Sequence, residues 1–173
     1  MAGRVLVFTG DGKGKTTAAV GMAIRAAGHG GRVRIIQFIK SDTRTGESEC
    51  LTGFPSVEIE QAGLGFSPKP GSSTFRRHRE AAAAGLARAR ETLRAGQFAL
   101  VVLDEVISAT AAGLVTEEDV MNVLEAASPK TDIVLTGRGA GQTLLEMADT
   151  VTEMRCVKHA YDAGLPAMKG VEF

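Results

Sequence analysis

Short apolar runs alternate along this chain with longer stretches of helical period. Residues 5–9 (VLVFT) form a β-branched run closed by glycine, which predicts a buried strand. Over 16–29, Val20, Ala23, Ile24 and Ala27 recur at i, i+3, i+4 and i+7, which predicts a helix. The GHGG segment stops it, because glycine accepts the left-handed conformation that ends helices. Residues 33–38 (VRIIQF) are a second strand. Residues 57–61 (VEIEQ) are a third, alternating apolar and polar as an exposed or edge strand does.

A loop rich in Gly, Pro and Ser follows over 62–74. A long helix over 74–94 then lines up Phe75, Ala82, Leu86, Ala89 and Leu93 on one stripe. Residues 98–103 (FALVVL) are the strongest strand signal, and the run ends in Asp104–Glu105. Thr116 with Asp119 three residues on is a capping pattern that opens a helix over 116–127. A strand at 133–136 runs into GRGAG, a helix covers 142–148, a short strand covers 150–155, and 156–173 is an irregular tail.

Strand–helix alternation of this kind predicts one α/β domain over residues 1–173. Its mostly parallel sheet has about six strands and helices on both faces. In such sheets ligands sit at the carboxyl ends of the strands. The chemistry is therefore sought in 10–17, 39–47, 62–73, 104–108 and 137–141.

Composition narrows the partners. Lys and Arg total 20 and Asp and Glu total 20, so the formal net charge is zero. A nucleic-acid binder needs a basic face, and an anionic membrane attracts one, so neither partner is expected. Cys50 and Cys156 are too few and too far apart for a zinc knuckle or a disulfide scaffold, and they suit a reducing cytosol. The apolar run at 5–8 is too short for a signal peptide or a membrane span. A cytoplasmic protein is expected.

The decisive segment is Thr9-Gly10-Asp11-Gly12-Lys13-Gly14-Lys15-Thr16-Thr17, between a strand and a helix. Successive backbone N–H groups can point inward there, and the opening helix adds partial positive charge. Lys15 can reach phosphate oxygens and the Thr16 hydroxyl can bind Mg²⁺. The match to G-x-x-x-x-G-K-[ST] is offset, since Thr9 holds the first position and Gly10 follows it. This loop makes the predicted architecture a three-layer P-loop NTPase-like (RecA-like) fold. Asp104 and Glu105 close a buried strand, where carboxylates can hold Mg²⁺ directly or through water. Spacing alone does not decide which one touches the metal. Arg138, between two glycines at another strand end, is placed to contact a phosphate. Together these motifs specify a nucleoside triphosphate with Mg²⁺ (or Mn²⁺) and leave open which bond breaks. A P-loop ATPase or kinase satisfies them equally.

GDGKGKTTAAVGMAIRAAGHG, VRIIQFIK, GFS, VVLDE, LTGRGA, ADTVTEM and VKHAYDAGLPAMKGVEF occur here in that order. Read together they resemble the phosphate-loop type of ATP:corrinoid adenosyltransferase, from about Val5 to Phe173. The resemblance implies transfer of the 5′-deoxyadenosyl group of ATP to the Co(I) of a reduced corrinoid. That substrate would be cob(I)alamin or cob(I)yrinic acid a,c-diamide, with triphosphate released. It implies Thr16 and Glu105 as Mg²⁺ ligands with Asp104 behind them. It implies that Gly10, Asp11, Gly12, Lys13, Gly14, Lys15, Thr16, Thr17 and Arg138 hold ATP, with Lys15, Thr16 and Glu105 acting in catalysis. Arg25 resembles a family nucleotide contact and equally fits a solvent-facing helix arginine. Gln37 and Lys40 lie at a strand end beside the same cleft.

On the corrinoid side the resemblance points to Phe66, His159 and Tyr161. Family members often carry Gly-Phe-Thr-Trp where this chain has Gly65-Phe66-Ser67-Pro68. The two aromatics crowd the lower face of the corrinoid and make Co(II) reducible. Here either Pro68 or another apolar side chain fills the second place, or activation is weaker. The family further implies a homodimer and a reduced flavin or flavoprotein as electron donor.

Overall fold

The computed structural model describes residues 3–41, 45–66 and 68–171. Six strands form one sheet: β1 Val5–Thr9, β2 Val33–Gln37, β3 Val57–Gln61, β4 Leu100–Asp104, β5 Asp132–Thr136 and β6 Thr150–Glu153. Every pairing is parallel, and the order across the sheet is β3-β2-β4-β5-β1-β6. The helices are α1 Lys15–Gly28, α2 Gly46–Leu51, α3 Phe75–Ala95, α4 Val106–Ala111, α5 Glu117–Leu124 and α6 Gln142–Met147.

Successive side chains of a strand face opposite sides, so each central strand feeds two cores. Ile35, Leu100, Val102 and Val134 pack with Ala19 and Ala23 of α1 and Leu51 of α2. Ile36, Val101, Leu103, Ile133 and Leu135 pack with Ala82, Leu86, Ala89 and Leu93 of α3, with α4, and with α5 and Leu144 of α6. A strand covered on both faces reads as an unbroken apolar run, which is why β4 gives so strong a signal. β3 alternates because it is an outer strand. Its Glu58 accepts hydrogen bonds from Arg32 and Arg34, and Glu60 pairs with Arg34 and with Arg88 of α3.

The predicted elements recur with shifts of a few residues. β4 starts at Leu100, two residues later than predicted, and Phe98 packs beneath the Arg32 guanidinium instead, 4.7 Å from ring centroid to Cζ. α5 ends at Leu124, and its capping box is complete. Asp119 N–H donates to Thr116 Oγ1 at 3.0 Å, and Thr116 N–H donates to Asp119 Oδ2 at 2.9 Å. Two helices, α2 and α4, were not foreseen. Each is six residues long. The tail holds one short 3-10 turn, Ala160–Ala163.

Candidate active site

The carboxyl ends of β1, β5, β4 and β2 stand side by side in that order, and each delivers one part of the site. β1 ends at Thr9 and α1 begins at Lys15, with the glycine loop between. The loop is braced from behind by the chain leaving β6. Gly12 N–H donates to the Met154 carbonyl at 2.6 Å, and Met154 N–H donates to the Thr9 carbonyl at 2.8 Å. A β-carbon on Gly12 would sit 2.7 Å from the backbone of Arg155, so only glycine fits this close approach. Lys15 folds beneath the loop and donates from Nζ to the carbonyls of Gly10 at 2.6 Å and Gly12 at 2.7 Å. Partial burial and then the Arg138 charge lower the pKa of its ammonium, and Asp11 and Glu105 offset this in part. Two of its three donors are in use, so one remains for an incoming anion.

The two carboxylates at the end of β4 have divided roles. Asp104 is buried, with 1% of its surface exposed. Its Oδ1 accepts from Thr16 Oγ1 at 2.8 Å and from Thr136 Oγ1 at 2.7 Å. Its Oδ2 accepts from Gln37 Nε2 at 3.0 Å. Asp104 therefore holds the Thr16 hydroxyl in place and is satisfied by the protein. Glu105 turns away. Its φ of 61° makes it the only non-glycine residue in the left-handed region among the described residues, a conformation costing on the order of 1 kcal/mol. Thr136 secures that turn by accepting the Glu105 N–H at 2.8 Å. Among the described residues no donor is hydrogen-bonded to the Glu105 carboxylate. Burial, then the neighbouring Asp104 charge, raises its pKa, and Lys40, Lys15 and Arg138 oppose this. A desolvated carboxylate beside a fixed hydroxyl, with no partner of its own, suits a divalent cation.

The loop after β5 is held by two helices. Gly137, at φ 145°, lies directly against the backbone of Ile107 and Ser108, where a side chain would collide. Arg138 N–H donates to Ser108 Oγ at 3.1 Å, and Leu144 N–H donates to Glu117 Oε1 at 3.0 Å. These bonds place Arg138 at the edge of a cavity of about 830 Å³.

That cavity gathers Gly12, Lys13, Gly14, Lys15, Thr16, Thr17, Glu105 and Arg138 with Phe66 and His159. Phe66 stands at the mouth with 98% of its surface exposed. Ser67 lies outside the described residues. Gly10 and Asp11 belong to the loop but do not line the cavity, and Asp104 lies behind it. Arg25 is exposed in the last turn of α1, and Tyr161 is 76% exposed on the tail. Neither reaches the cavity within one chain. Gln37 is fully buried under Asp104, whereas Lys40 does line the cavity.

Sequence reasoning did not single out Thr136, Ser108, Glu47 or Glu117. Thr136 stood inside the quoted TGRGA motif, and a hydroxyl ending a strand next to an Asp-Glu strand end was the available signal. Ser108 and Glu117 bond to residues 30 and 27 positions away, and Glu47 sits in a short helix seven residues from its partner Lys40. No cluster of three His, Cys, Asp or Glu side chains able to hold a metal occurs among the described residues. A cation at Thr16 and Glu105 would therefore complete its shell with phosphate oxygens and water, the usual habit of Mg²⁺. No helix of the described residues is long and apolar enough to cross a membrane.

Comparison with known proteins bears on this geometry. Residues 1–173 match the family model described as ATP:corrinoid adenosyltransferase BtuR/CobO/CobP. A corrinoid adenosyltransferase of Pseudomonas aeruginosa is 42% identical over 174 residues, covering 99% of this chain and 84% of that protein. Corrinoid adenosyltransferases of Escherichia coli K12 and Salmonella typhimurium are each 39% identical over 173 residues, covering 99% of this chain and 86% of theirs. Among solved structures, the flagellar accessory protein FlaH of Methanocaldococcus jannaschii superposes with a TM-score of 0.58 at 12% identity. The match covers 88% of this chain and 71% of FlaH, and it speaks to the fold alone.

Proposed function

The chain belongs to the ATP:corrinoid adenosyltransferase family BtuR/CobO/CobP, and on that premise we propose how its cavity carries out adenosyl transfer. The enzyme moves the 5′-deoxyadenosyl group of ATP to the cobalt of a reduced corrinoid in cobalamin biosynthesis. The observation that carries the residue assignment is the convergence of the glycine loop, Lys15, Thr16, Glu105 and Arg138 on one cavity with an aromatic side chain at its mouth. A volume of about 830 Å³ suits a nucleotide. The larger corrinoid then lies outside, over Phe66.

Co(I) attacks the 5′ carbon of ATP with its electron pair. A cobalt–carbon bond forms, the C5′–O bond breaks, and its electrons leave on the triphosphate. Negative charge grows on the leaving group, so preorganised donors aimed there lower the barrier. The loop amides from Lys13 to Thr17 supply fixed donors, the Gly12 N–H being taken by the Met154 carbonyl. Lys15 supplies an ammonium whose third donor is free for a phosphate oxygen, and Lys13 and Arg138 add charge at the edges. Thr16, held by Asp104, and Glu105, held through Thr136, would bind Mg²⁺ (or Mn²⁺) together with phosphate oxygens. Such an ion supplies Lewis-acid neutralisation of the developing charge. Lys15, Thr16 and Glu105 are the groups assigned to catalysis.

Phe66, His159 and Tyr161 are assigned to the corrinoid. His159 lines the cavity, and its Nδ1 accepts the Tyr161 N–H at 3.2 Å, which fixes the turn that carries the tyrosine. Tyr161 and Arg25 lie away from the cavity of their own chain, so their assignments are joined here to a homodimer in which a second copy approaches them. A reduced flavin or flavoprotein as electron donor and a cytoplasmic setting complete the proposal.

The test is formation of adenosylcobalamin from ATP, Mg²⁺ and chemically reduced cobalamin, followed by the visible spectrum. Lys15→Ala is expected to slow turnover on the order of 10²-fold. A variant that turns over at the wild-type rate would remove the glycine loop from the mechanism.

A further inference from the structure

The cavity wall beyond Glu105 carries an ion pair that the site as described does not use. Lys40 follows β2, and Glu47 stands in the first turn of α2. The Lys40 ammonium donates to Glu47 Oε1 in a close contact. The two side chains are 27% and 19% exposed, and both line the cavity with Lys15, Thr16 and Glu105.

Strand order explains the placement. β2 lies next to β4, whose end bears Glu105, and three strands away from β1. At about 4.8 Å per strand, Lys40 flanks Glu105 on the side away from the glycine loop, with roughly 14 Å between the ends of β1 and β2.

Glu47 accounts for how a half-buried cation is kept ready without ligand. Burial opposes ionisation of its carboxyl, but hydrogen bonds from Lys40, its own backbone and Thr45, with the Lys40 charge, hold its pKa below the usual value. The hydrogen bond and the opposite charges hold the two side chains together. An ammonium has three donors, so one bond to Glu47 leaves two for another anion. Among the described residues that line the cavity, the cations Lys13, Lys15, Lys40 and Arg138 outnumber the carboxylates Glu47 and Glu105 by two.

We propose that Lys40, positioned by Glu47, is a further substrate-binding cation that contacts the polyphosphate of ATP from the side of Glu105 opposite the glycine loop. The proposal deepens the assigned active site and rests on that reading. Lys15 and Lys40 then grip the triphosphate from two strands, and a pre-positioned ammonium loses little freedom when the anion arrives.

The experiment is calorimetric titration of the full chain with inorganic triphosphate in Mg²⁺. Lys40→Met is expected to weaken binding about tenfold, equivalent to about 1.4 kcal/mol. Lys40→Arg, which keeps the charge, should recover to within about threefold of wild type. The double variant Lys40→Met/Glu47→Gln should stay within about twofold of Lys40→Met. Wild-type affinity in Lys40→Met overturns the proposal. So does recovery in the double variant, because Lys40 would then serve only to neutralise Glu47. Should Lys40→Met melt below the assay temperature, Lys40→Gln makes the same comparison. Lys15→Ala in the same titration separates this failure from failure of the site. If Lys15→Ala loses triphosphate and Lys40→Met does not, only the Lys40 proposal falls. If Lys15→Ala binds normally, the site assignment itself is wrong.

Discussion

Replacing Thr136 by valine keeps the shape of a fully buried side chain and removes one hydroxyl. That hydroxyl donates to Asp104 Oδ1 at 2.7 Å and accepts the Glu105 N–H at 2.8 Å. The first bond goes to a charged group, worth about 1.5–3 kcal/mol. The second leaves a partly buried N–H unpaired at about 1–3 kcal/mol. The added methyl returns about 0.8 kcal/mol of apolar burial. The net expectation is about 3 kcal/mol of destabilisation. For a chain of this length each kcal/mol moves the melting temperature by about 2–4 °C, so a fall of roughly 6–12 °C is expected. The site should suffer beyond stability. The Glu105 turn loses its anchor, and Asp104 loses one of the three bonds that fix it behind Thr16. The KM for ATP in Mg²⁺ should therefore rise at temperatures where the variant is still folded. Thermal melting and urea titration measure the first effect, and initial rates measure the second. Thr136→Ser, which keeps the hydroxyl, should restore most of both. A Thr136→Val protein melting within about 2 °C of wild type would refute the bridging role.

Two further outcomes follow from single side chains. Phe66 is 98% exposed, so Phe66→Ala should leave stability within about 0.5 kcal/mol and the KM for ATP unchanged. Turnover from Co(II) corrinoid plus reductant should fall about tenfold, near 1.4 kcal/mol, and more than turnover from Co(I) prepared beforehand. Equal losses from both would move Phe66 out of the activation step. The folded-state pKa of Glu47 lies below its ordinary value of 4.5. Its contribution is therefore present above the unfolded-state pKa and lost as pH falls through the folded-state pKa. Glu47→Gln should cost about 1 kcal/mol at pH 7, and wild type and variant should converge in acid. A gap that persists under acid conditions would show that packing, not charge, is lost.

Much of this was legible from the chain, and the exceptions share a cause. Central strands wrapped on both faces read as apolar runs, and the Glu58 and Glu60 alternation marked β3 as an exposed or edge strand, which the sheet order makes an edge. The glycine loop was legible because phosphate binding constrains consecutive residues. Asp104 and Glu105 were found as a pair, but their roles depend on Thr16, Gln37 and Thr136, which lie 88, 67 and 32 positions away from Asp104. Only the fold brings those together. Lys40 was visible at a strand end, while Glu47 sat in a helix too short to announce itself. Arg25 and Tyr161 show the converse. Motif resemblance placed them in the site, and within one chain they stand apart from it.

The measurement that bears most directly on the central claim is phosphorus NMR of the nucleotide products during turnover with reduced cobalamin. If the glycine–lysine loop supports a departing polyphosphate, one intact inorganic triphosphate appears for each cobalt–carbon bond formed, and Lys15→Ala suppresses both together. ADP or orthophosphate as the primary product would contradict the account, since the bond broken would then lie within the phosphate chain.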